Sequence, residues 1–277
     1  MATDPFHDCI EMVRAADPDR YLSALFAPAH LRPHLFALYA FNHELARVAE
    51  NVREPMLGAI RLEWWRETLE QAKAGKPRNH VVGQALAQTF AATALPLDLC
   101  ESLIAARSFD SSPDFFPDFA ALENYAAATS GTLMQLALRI LGVENQDSLA
   151  REAGTAYALA GLLRAFPFHA HRHKLYLPLD ILASVNLTPE EIFAGQAENK
   201  VKAVMRQTAL RARQKFLDAR RLGKSKAALP AILPAALVPH YMRKVLRPWF
   251  RPYGPVANVS IHRRQMALLS AAMKGRL

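Results

Sequence analysis

Apolar residues recur along this chain at intervals of three, four and seven, and strict alternation of apolar and polar residues is nearly absent. One such run holds Leu35, Leu38, Tyr39, Leu45 and Val48. This spacing puts apolar side chains on one face of an α-helix. Glycines and prolines then divide the chain into eight to ten helices of ordinary length. The sequence therefore predicts an all-α fold.

Two local patterns predict boundaries within that fold. The segment 108–118 contains two prolines and several acids, which favour neither helix nor strand, and is predicted to be a surface loop. In the second, Thr188 precedes Pro189 and two glutamates. Threonine is a good N-cap, proline fits the first helical position, and the helix dipole favours acids in the first turn. A helix is therefore predicted to begin at Pro189.

Size and composition predict one domain over residues 1–277. About half of the 277 residues are apolar, enough for one large core. No stretch approaches the roughly 18 to 20 apolar residues of a bilayer span, and the N-terminus has no basic leader or apolar region, so a cytoplasmic location is expected. Cys9 and Cys100 have no pattern typical of a disulfide framework or a zinc site.

Charge is distributed unevenly along the chain. Residues 200–277 hold 18 of the 34 Lys and Arg and one acid, Asp218, for a net charge of +17. Residues 1–199 hold 24 acids against 16 bases. A field of this kind favours polyanionic partners such as an anionic membrane leaflet, an acidic protein surface or nucleic acid. The alternative is a solvated basic face without a partner.

Residues 200–222 place apolar and basic side chains at helical spacing, which predicts a basic amphipathic helix. Six prolines then interrupt an apolar run that contains several aromatics. Basic residues beside aromatics are typical of a membrane interface, although a helix hairpin packed into the core fits as well. Nucleic acid is the least favoured partner, since no recognised motif accompanies the charge. The predicted membrane or partner surface consists of Lys200, Lys202, Arg206, Arg211, Arg213, Arg243, Lys244 and Arg247.

Three segments resemble the squalene/phytoene synthases. The first is LFALYAF at 35–41 with RLEWWR at 61–66, and the second is YAAATSGT at 125–132, followed by RILG. The third runs from LLR at 162–164 to KLYLP at 174–178. The resemblance implies an isoprenoid synthase-like helical bundle around a central cavity. It also implies a family reaction that joins two prenyl diphosphates held by Mg²⁺ between two aspartate motifs.

The residues at those motif positions do not suit Mg²⁺. The first motif falls on 46–50, where only Glu50 is acidic, and the second falls on 165–169, which has no acid. Mg²⁺ needs several carboxylate oxygens at close octahedral distances. Pro167 is also expected to break the helix that presents the second motif. We therefore expect no cofactor and assign no catalytic residue, so the sequence favours a non-enzyme.

A closer resemblance points to one subfamily. FNHELA at 41–46 and LRAFPFH at 163–169 are similar to the mitochondrial complex I assembly factor of the same family, which has also lost its aspartate motifs. This resemblance implies a non-catalytic protein that supports assembly of the respiratory NADH dehydrogenase. It would be peripheral to the inner membrane, on the matrix side in a processed eukaryotic form.

Two alternatives stay open. A prenyltransferase acting on farnesyl or geranylgeranyl diphosphate would need Glu44, Glu50 and Glu63 to converge on Mg²⁺. A carrier of an isoprenoid or quinone tail would use a tunnel left open by small residues such as Ala158 and Gly161. Convergence of those acids would favour the prenyltransferase over the assembly role, and an open tunnel would favour the carrier.

Several side chains are candidates for the site. Arg164 occupies the position of the family's motif arginine, and it either binds an anion or forms a buried ion pair with Glu44 or Glu50. Gly131 is expected to allow close approach of two helices or of a lipid chain. The full set of cavity or anion-binding candidates is Tyr39, Arg47, Glu50, Tyr125, Gly131 and Arg164. The only candidate metal ligands are His169, His171 and His173, whose imidazoles suit zinc, copper or nickel, although alternate spacing beside Arg172 fits a solvated loop better.

Overall fold

The chain folds into α-helices that follow one another with few residues between them. The computed structural model describes residues 4–52, 54–223, 225–255 and 258–277. Within them the helices are α1 (Pro5–Ala16), α2 (Pro18–Ala24), α3 (Arg32–Asn51), α4 (Pro55–Lys73), α5 (Val81–Ala92), α6 (Leu97–Ser111), α7 (Phe119–Ala126), α8 (Thr132–Ile140), α9 (Asp147–Arg164), α10 (Phe166–His171), α11 (Leu179–Ser184), α12 (Pro189–Phe193), α13 (Glu198–Arg221), α14 (Leu229–Ile232), α15 (Val238–Val245) and α16 (Ile261–Lys274). A π-helical turn, Ala127–Gly131, joins α7 to α8, and a 3-10 turn, Leu233–Leu237, joins α14 to α15.

The all-α prediction is confirmed, because none of these residues forms a strand. The predicted count of eight to ten helices is too low. Several helices are only four to six residues long, among them α10, α11, α12 and α14. Prolines explain part of the higher helix count, because a proline has no backbone N–H to donate and therefore separates one helix from the next.

Side-chain caps explain where several helices begin. Asp4 accepts a hydrogen bond from the Phe6 amide at the start of α1, and Asp17 accepts one from the Arg20 amide at the start of α2. At α12 the Thr188 hydroxyl and the Glu191 carboxylate each accept a hydrogen bond from the other residue's amide. This reciprocal arrangement is a capping box. The predicted helix start at Pro189 is therefore confirmed.

The loop predicted over 108–118 is shorter than expected. Residues 108–111 are the last turn of α6, so the prediction is wrong there. The remaining loop is anchored by Phe116, whose buried ring stacks on Phe109 with 4.1 Å between centroids. The Phe116 carbonyl also accepts a hydrogen bond from the Leu179 amide. An aromatic side chain directed inward thus fixes a segment whose prolines and acids indicate only irregular backbone.

Helix α9 lies at the centre of the packing. It contacts α13, α8, the π-helical turn and α15, while α3 packs on the other side against α1, α5 and α6. Helix α16 covers the 3-10 turn and touches α2. Buried apolar residues form one contiguous cluster that extends from Cys9 to Ala271. The single-domain organisation stays a prediction, as does the path of any tunnel through this cluster.

Helix α9 and the π-helical turn approach each other closely at two glycines. A Cβ atom placed on Gly154 would lie 2.5 Å from both the nitrogen and Cα of Gly131. The predicted role of Gly131 in a close helix contact is therefore confirmed. Glycine is required more strictly at position 154 than at position 131, because a Cβ on Gly131 would have its nearest contact 3.4 Å away, at Cα of Arg151.

Two further helix predictions agree with the structure. Helix α9 ends at Arg164, and α10 begins at Phe166 with Pro167 in its first turn, so the expected helix break at Pro167 is present. The predicted basic amphipathic helix is α13, which buries an apolar face that includes Val201 and Phe216. Among the described residues, no helix combines the length and the apolar character needed to cross a bilayer.

Candidate functional site

The two segments that correspond to the aspartate motifs lie next to each other. The Arg172 guanidinium in the turn after α10 donates a hydrogen bond to the Glu50 carbonyl, 2.7 Å away, at the end of α3. Arg47 and Glu50 both have exposed side chains. In the second segment Phe166 is buried and Phe168 is exposed. The two segments are therefore close to each other, and Glu50 is the one acidic side chain in them.

The donor set does not fit Mg²⁺. Over the described part of the chain, no group of three or more His, Cys, Asp and Glu side chains converges closely enough to hold a metal ion. Glu44 lines a recess near Trp64, whereas Glu63 pairs with Arg66 at 2.5 Å. Mg²⁺ needs several oxygen ligands in near-octahedral geometry. The acids that the prenyltransferase alternative requires therefore do not form that site.

Asp19 is the centre of a buried polar cluster. Its Oδ2 accepts hydrogen bonds from the hydroxyls of Tyr157 at 3.0 Å and Tyr241 at 2.7 Å. Its Oδ1 lies 2.8 Å from Nε of Arg264, and its Oδ2 lies 3.6 Å from Nη1 of Arg164. One carboxylate thus contacts two guanidinium groups and two phenols inside the protein. An anion that entered here would have to displace Asp19 from both arginines.

Arg164 makes two further contacts beyond that carboxylate. Its guanidinium lies over the Tyr241 ring, 3.9 Å from the centroid, and it donates a 2.9 Å hydrogen bond to the Asn258 side chain. The predicted buried ion pair is therefore present, but its partner is Asp19, not Glu44 or Glu50. Burial and the nearby Asp19 carboxylate raise the pKa of Tyr241, so its hydroxyl remains a donor at neutral pH.

A second cationic group extends this cluster. Arg20 pairs with Asp17 at 2.5 Å, donates to the Ser130 hydroxyl at 3.2 Å and lies over the Tyr157 ring. Arg20 also lies over the Tyr39 ring, whose buried hydroxyl has no hydrogen-bond partner among the described residues. Burial raises the pKa of Tyr39. Asp17 and Asp19 together supply the counter-charge for most of this buried positive charge.

A separate buried cluster surrounds Asp110. The Asp110 carboxylate accepts hydrogen bonds from Tyr125 at 2.5 Å, from Tyr176 at 2.9 Å and from Arg107 at 3.2 Å. Arg107 also donates to the Asn42 side chain on α3. Burial raises the pKa of Tyr125, with the Asp110 charge adding to the shift. The predicted cavity residue Tyr125 thus cross-links α6 and α7 to the rest of the core.

The candidate side chains consequently lie in different places. Tyr39 and Arg164 belong to the Asp19 cluster, and Tyr125 belongs to the Asp110 cluster. Arg47 and Glu50 lie on the surface at the end of α3. The role of all six candidates as cavity or anion-binding residues stays a prediction. Beside the second motif segment, the space between His169, Tyr176 and the leucines of α9 measures only about 10 Å³, at most one water molecule.

The three histidines do not converge either. His169 and His171 lie on the short helix α10, so the predicted loop is wrong there, and His173 follows it in a left-handed backbone conformation. His169 packs on Tyr176 with 4.7 Å between ring centroids, and burial lowers its pKa to about 4. His171 and His173 are exposed. A half-buried imidazole in an aromatic contact accounts for His169 without a metal.

Of the eight predicted basic residues, five lie on α13, two lie on α15, and Arg247 follows α15. On α13, Lys200 donates to the Asn186 carbonyl at 2.6 Å and Lys202 donates to the Pro248 carbonyl, so both amino groups are engaged with backbone. Arg211 lies over the Phe119 ring, and Arg206 and Arg213 are exposed. Arg243 and Lys244 of α15, and Arg247 after its end, line a cleft of about 1170 Å³ beside α16.

Sequence reasoning missed the residue that organises the interior. Asp19 lies in the first turn of α2, where an acid is ordinary because the helix dipole favours it. Tyr241, its hydrogen-bond partner, follows 222 residues later. The nearest signal was the dense run of charge in Asp17-Pro18-Asp19-Arg20, which is unusual in a helix that buries four of its seven residues.

Comparison with known proteins agrees with the geometry. The family model described as squalene/phytoene synthase matches residues 13–265. The human NADH dehydrogenase (ubiquinone) complex I assembly factor 6 is 30% identical over 253 residues, which cover 90% of this chain and 76% of the human one. The 15-cis-phytoene synthase of Synechococcus elongatus is 24% identical and covers 79% of this chain and 75% of its own.

Solved structures show the same fold. A dehydrosqualene synthase crystallised with a ligand superposes with a TM-score of 0.84 at 17% identity, covering 98% of this chain and 96% of that one. The squalene synthase of Alicyclobacillus acidocaldarius gives a TM-score of 0.71 at 22% identity, over 98% and 94% of the two chains. At these identities the likeness is one of fold.

Proposed function

The chain belongs to the squalene/phytoene synthase family, and from that premise we propose that it is a non-catalytic member that supports assembly of a respiratory NADH dehydrogenase. One observation carries the proposal. Of the positions that hold aspartates in the synthases, only the one at Glu50 is acidic here, in a chain 30% identical to an assembly factor over 90% of its length. The fold has been kept while the groups that would bind Mg²⁺ have been replaced.

The interior chemistry supports this proposal. Ionisation of a prenyl diphosphate needs divalent cations and free positive charge. Here Arg164 and Arg264 are engaged with Asp19, and Arg20 is engaged with Asp17. A diphosphate would have to compete with buried carboxylates for these guanidinium groups. The cluster is therefore better suited to hold α2, α9 and α16 together than to bind a substrate.

We further propose that the protein acts at the membrane surface without spanning it. The net charge of +17 on residues 200–277 favours an anionic leaflet. A member that carries an isoprenoid or quinone tail is the second candidate, but the space of about 10 Å³ beside the second motif segment does not favour it. The prenyltransferase alternative is the least favoured, because Glu44, Glu50 and Glu63 do not converge.

The assembly role is tested by deleting the gene in an organism that carries it. We expect the NADH dehydrogenase to decrease on native gels and in membrane NADH oxidation, and the wild-type gene to restore it. Succinate dehydrogenase in the same membranes is the matched control, since it should be unchanged. Normal assembly in the deletion strain would contradict the proposal.

A turnover assay tests the non-catalytic part separately. Purified protein is incubated with farnesyl or geranylgeranyl diphosphate and Mg²⁺, and a catalytically active squalene synthase is run as the positive control. We expect no condensed hydrocarbon product and no release of diphosphate. Mg²⁺-dependent product formation would restore the prenyltransferase alternative and contradict the proposed function.

A further inference from the structure

Helix α16 carries apolar side chains that nothing in the described chain covers. Met266, Leu269 and Met273 are exposed to 65%, 45% and 78%. Their spacing of three and four residues puts them on one face of the helix. Leu25 and Phe26, just after α2, lie beside this face and line a groove of about 400 Å³ with it. We call these five residues the apolar ridge.

A basic cleft adjoins the apolar ridge. It lies between α15, α16 and the end of α13, measures about 1170 Å³ and has no Asp or Glu in its lining. Met266 lines both the cleft and the groove of the apolar ridge, so the two surfaces are continuous. The basic side chains that line the cleft are Arg220, Arg243, Lys244, Arg247, Arg263, Lys274 and Arg276.

The positive charge of the cleft is not neutralised within the described residues. None of its seven Lys and Arg side chains lies within ion-pair distance of a described carboxylate, in contrast to Arg164 and Arg264 of the interior. Burial lowers the pKa of His240 in the cleft wall, and the charges of Arg243 and Arg263 lower it further. The cleft therefore has a strong positive potential that an anion would relieve.

The combination of the two surfaces distinguishes between classes of anion. A nucleic acid or a free phosphate would use the basic cleft but has no need of an apolar ridge. A bilayer uses both, because apolar side chains enter the boundary between headgroups and acyl chains while Lys and Arg contact anionic headgroups. Trp249 lies beneath the Arg247 guanidinium at the cleft and is 72% exposed. Tryptophan is enriched where proteins meet the membrane interface.

We propose that this face docks on an anionic phospholipid bilayer, with the apolar ridge among the acyl chains and the basic cleft holding phosphate headgroups. The inference deepens the proposed membrane location, on which it rests, and it does not depend on the assembly role. It centres the membrane contact on Arg243 of α15 and Arg263 of α16, whose side chains are exposed. Lys244 donates to a backbone carbonyl, as Lys200 and Lys202 of α13 do.

The test is flotation of the purified full chain with phosphatidylcholine vesicles, with or without phosphatidylglycerol. We expect the protein to bind the anionic vesicles and not the neutral ones. The double variant R243E/R263E should weaken binding by at least about 25-fold, since each basic side chain near the surface contributes roughly fivefold. The ridge variant M266S/L269S should weaken binding about tenfold, because two exposed apolar side chains no longer enter the bilayer.

Matched control variants lie on α13. R206E reverses an exposed charge outside the cleft, and L210S removes an exposed apolar side chain outside the ridge. Both should change binding less than about twofold. All of the substituted side chains are exposed, so circular dichroism and melting temperature should match the wild type. Equal loss of binding with R206E and R243E/R263E would overturn the assignment of the face.

Two other results would refute the proposal. Wild-type protein that floats equally with neutral and anionic vesicles, or with neither, does not dock as described. In the second result, M266S/L269S still binds the vesicles and a DNA duplex displaces the protein from them. That result would show that the cleft binds a polyanion instead of a bilayer. Because the assay contains no respiratory enzyme, its failure does not bear on the assembly role: altered variant behaviour refutes the docking face, and wild-type protein that binds neither vesicle refutes the membrane location as well. Normal NADH dehydrogenase in the deletion strain refutes the assembly role alone.

Discussion

The contact between Gly154 and the π-helical turn makes a sharp prediction for the variant Gly154→Ala. An added Cβ would lie 2.5 Å from the nitrogen and Cα of Gly131 and 2.6 Å from the carbonyl carbon of Ser130. All three are backbone atoms, so no side-chain rotation relieves the overlap. Gly161 lies on the same helix, two turns later, and a Cβ there would meet nothing within 4 Å.

The two alanine variants should therefore change stability in opposite directions. Overpacking a core costs about 1–3 kcal/mol, and we expect the upper end at Gly154 because backbone must move. Alanine also gains about 1 kcal/mol over glycine inside a helix. The free energy of unfolding should thus fall by about 2 kcal/mol in Gly154→Ala and rise by about 1 kcal/mol in Gly161→Ala, a difference of about 3 kcal/mol.

Urea unfolding followed by circular dichroism at the helix band measures both changes. The denaturation midpoint should move in opposite directions while the slope stays constant, since the area exposed on unfolding is similar. Wild-type stability in Gly154→Ala would refute the close approach. An equal loss in both variants would show that α9 is sensitive to any substitution, which would also refute the steric argument.

Three further predictions concern the buried groups. Asp19→Asn should lower the free energy of unfolding by about 3–5 kcal/mol in the same urea assay, because two buried guanidinium groups lose their carboxylate; a loss under about 1 kcal/mol would contradict this. Burial lowers the pKa of His169 from 6.5 to about 4, so the unfolded chain binds more protons between those values and the free energy of unfolding falls as the pH falls through that window. His169→Gln should flatten this part of the stability profile, and an unchanged profile would show that His169 is solvated. Burial raises the pKa of Cys9 and Cys100 to about 12, so maleimide at pH near neutral should label them only in urea; native labelling would place either thiol at the surface.

Much of the fold follows from patterns that are local in sequence. The helical spacing of apolar residues predicts the all-α class, and the residues around Thr188 predict a helix start that the capping box confirms. The loss of the aspartate motifs can also be predicted from the sequence, because counting from the LYAF and YLP segments locates the positions of both motifs. These predictions succeed because each depends on residues within one or two turns of each other.

The interior clusters were beyond such reasoning. Asp19 contacts side chains that follow it by 138 to 245 residues, and in its own helix it looks like an ordinary first-turn acid. The predicted basic surface has the same limit. The sequence locates the basic residues, but which of their charges are free depends on contacts such as the one between Lys202 and the Pro248 carbonyl. The contacts of Asp19 and the choice of free charges both depend on tertiary packing.

The acid-free lining of the basic cleft has a practical consequence for anyone who handles the protein. The cleft lining holds seven Lys and Arg and no acid, whereas the rest of the chain holds 27 bases against 25 acids, so positive charge is concentrated at the cleft. On a carboxylated sensor chip or cation-exchange bead the molecules should adsorb in one orientation, cleft inward. A search for binding partners on such a support would sample only the opposite side, whereas tethering through the N-terminus would leave the cleft accessible.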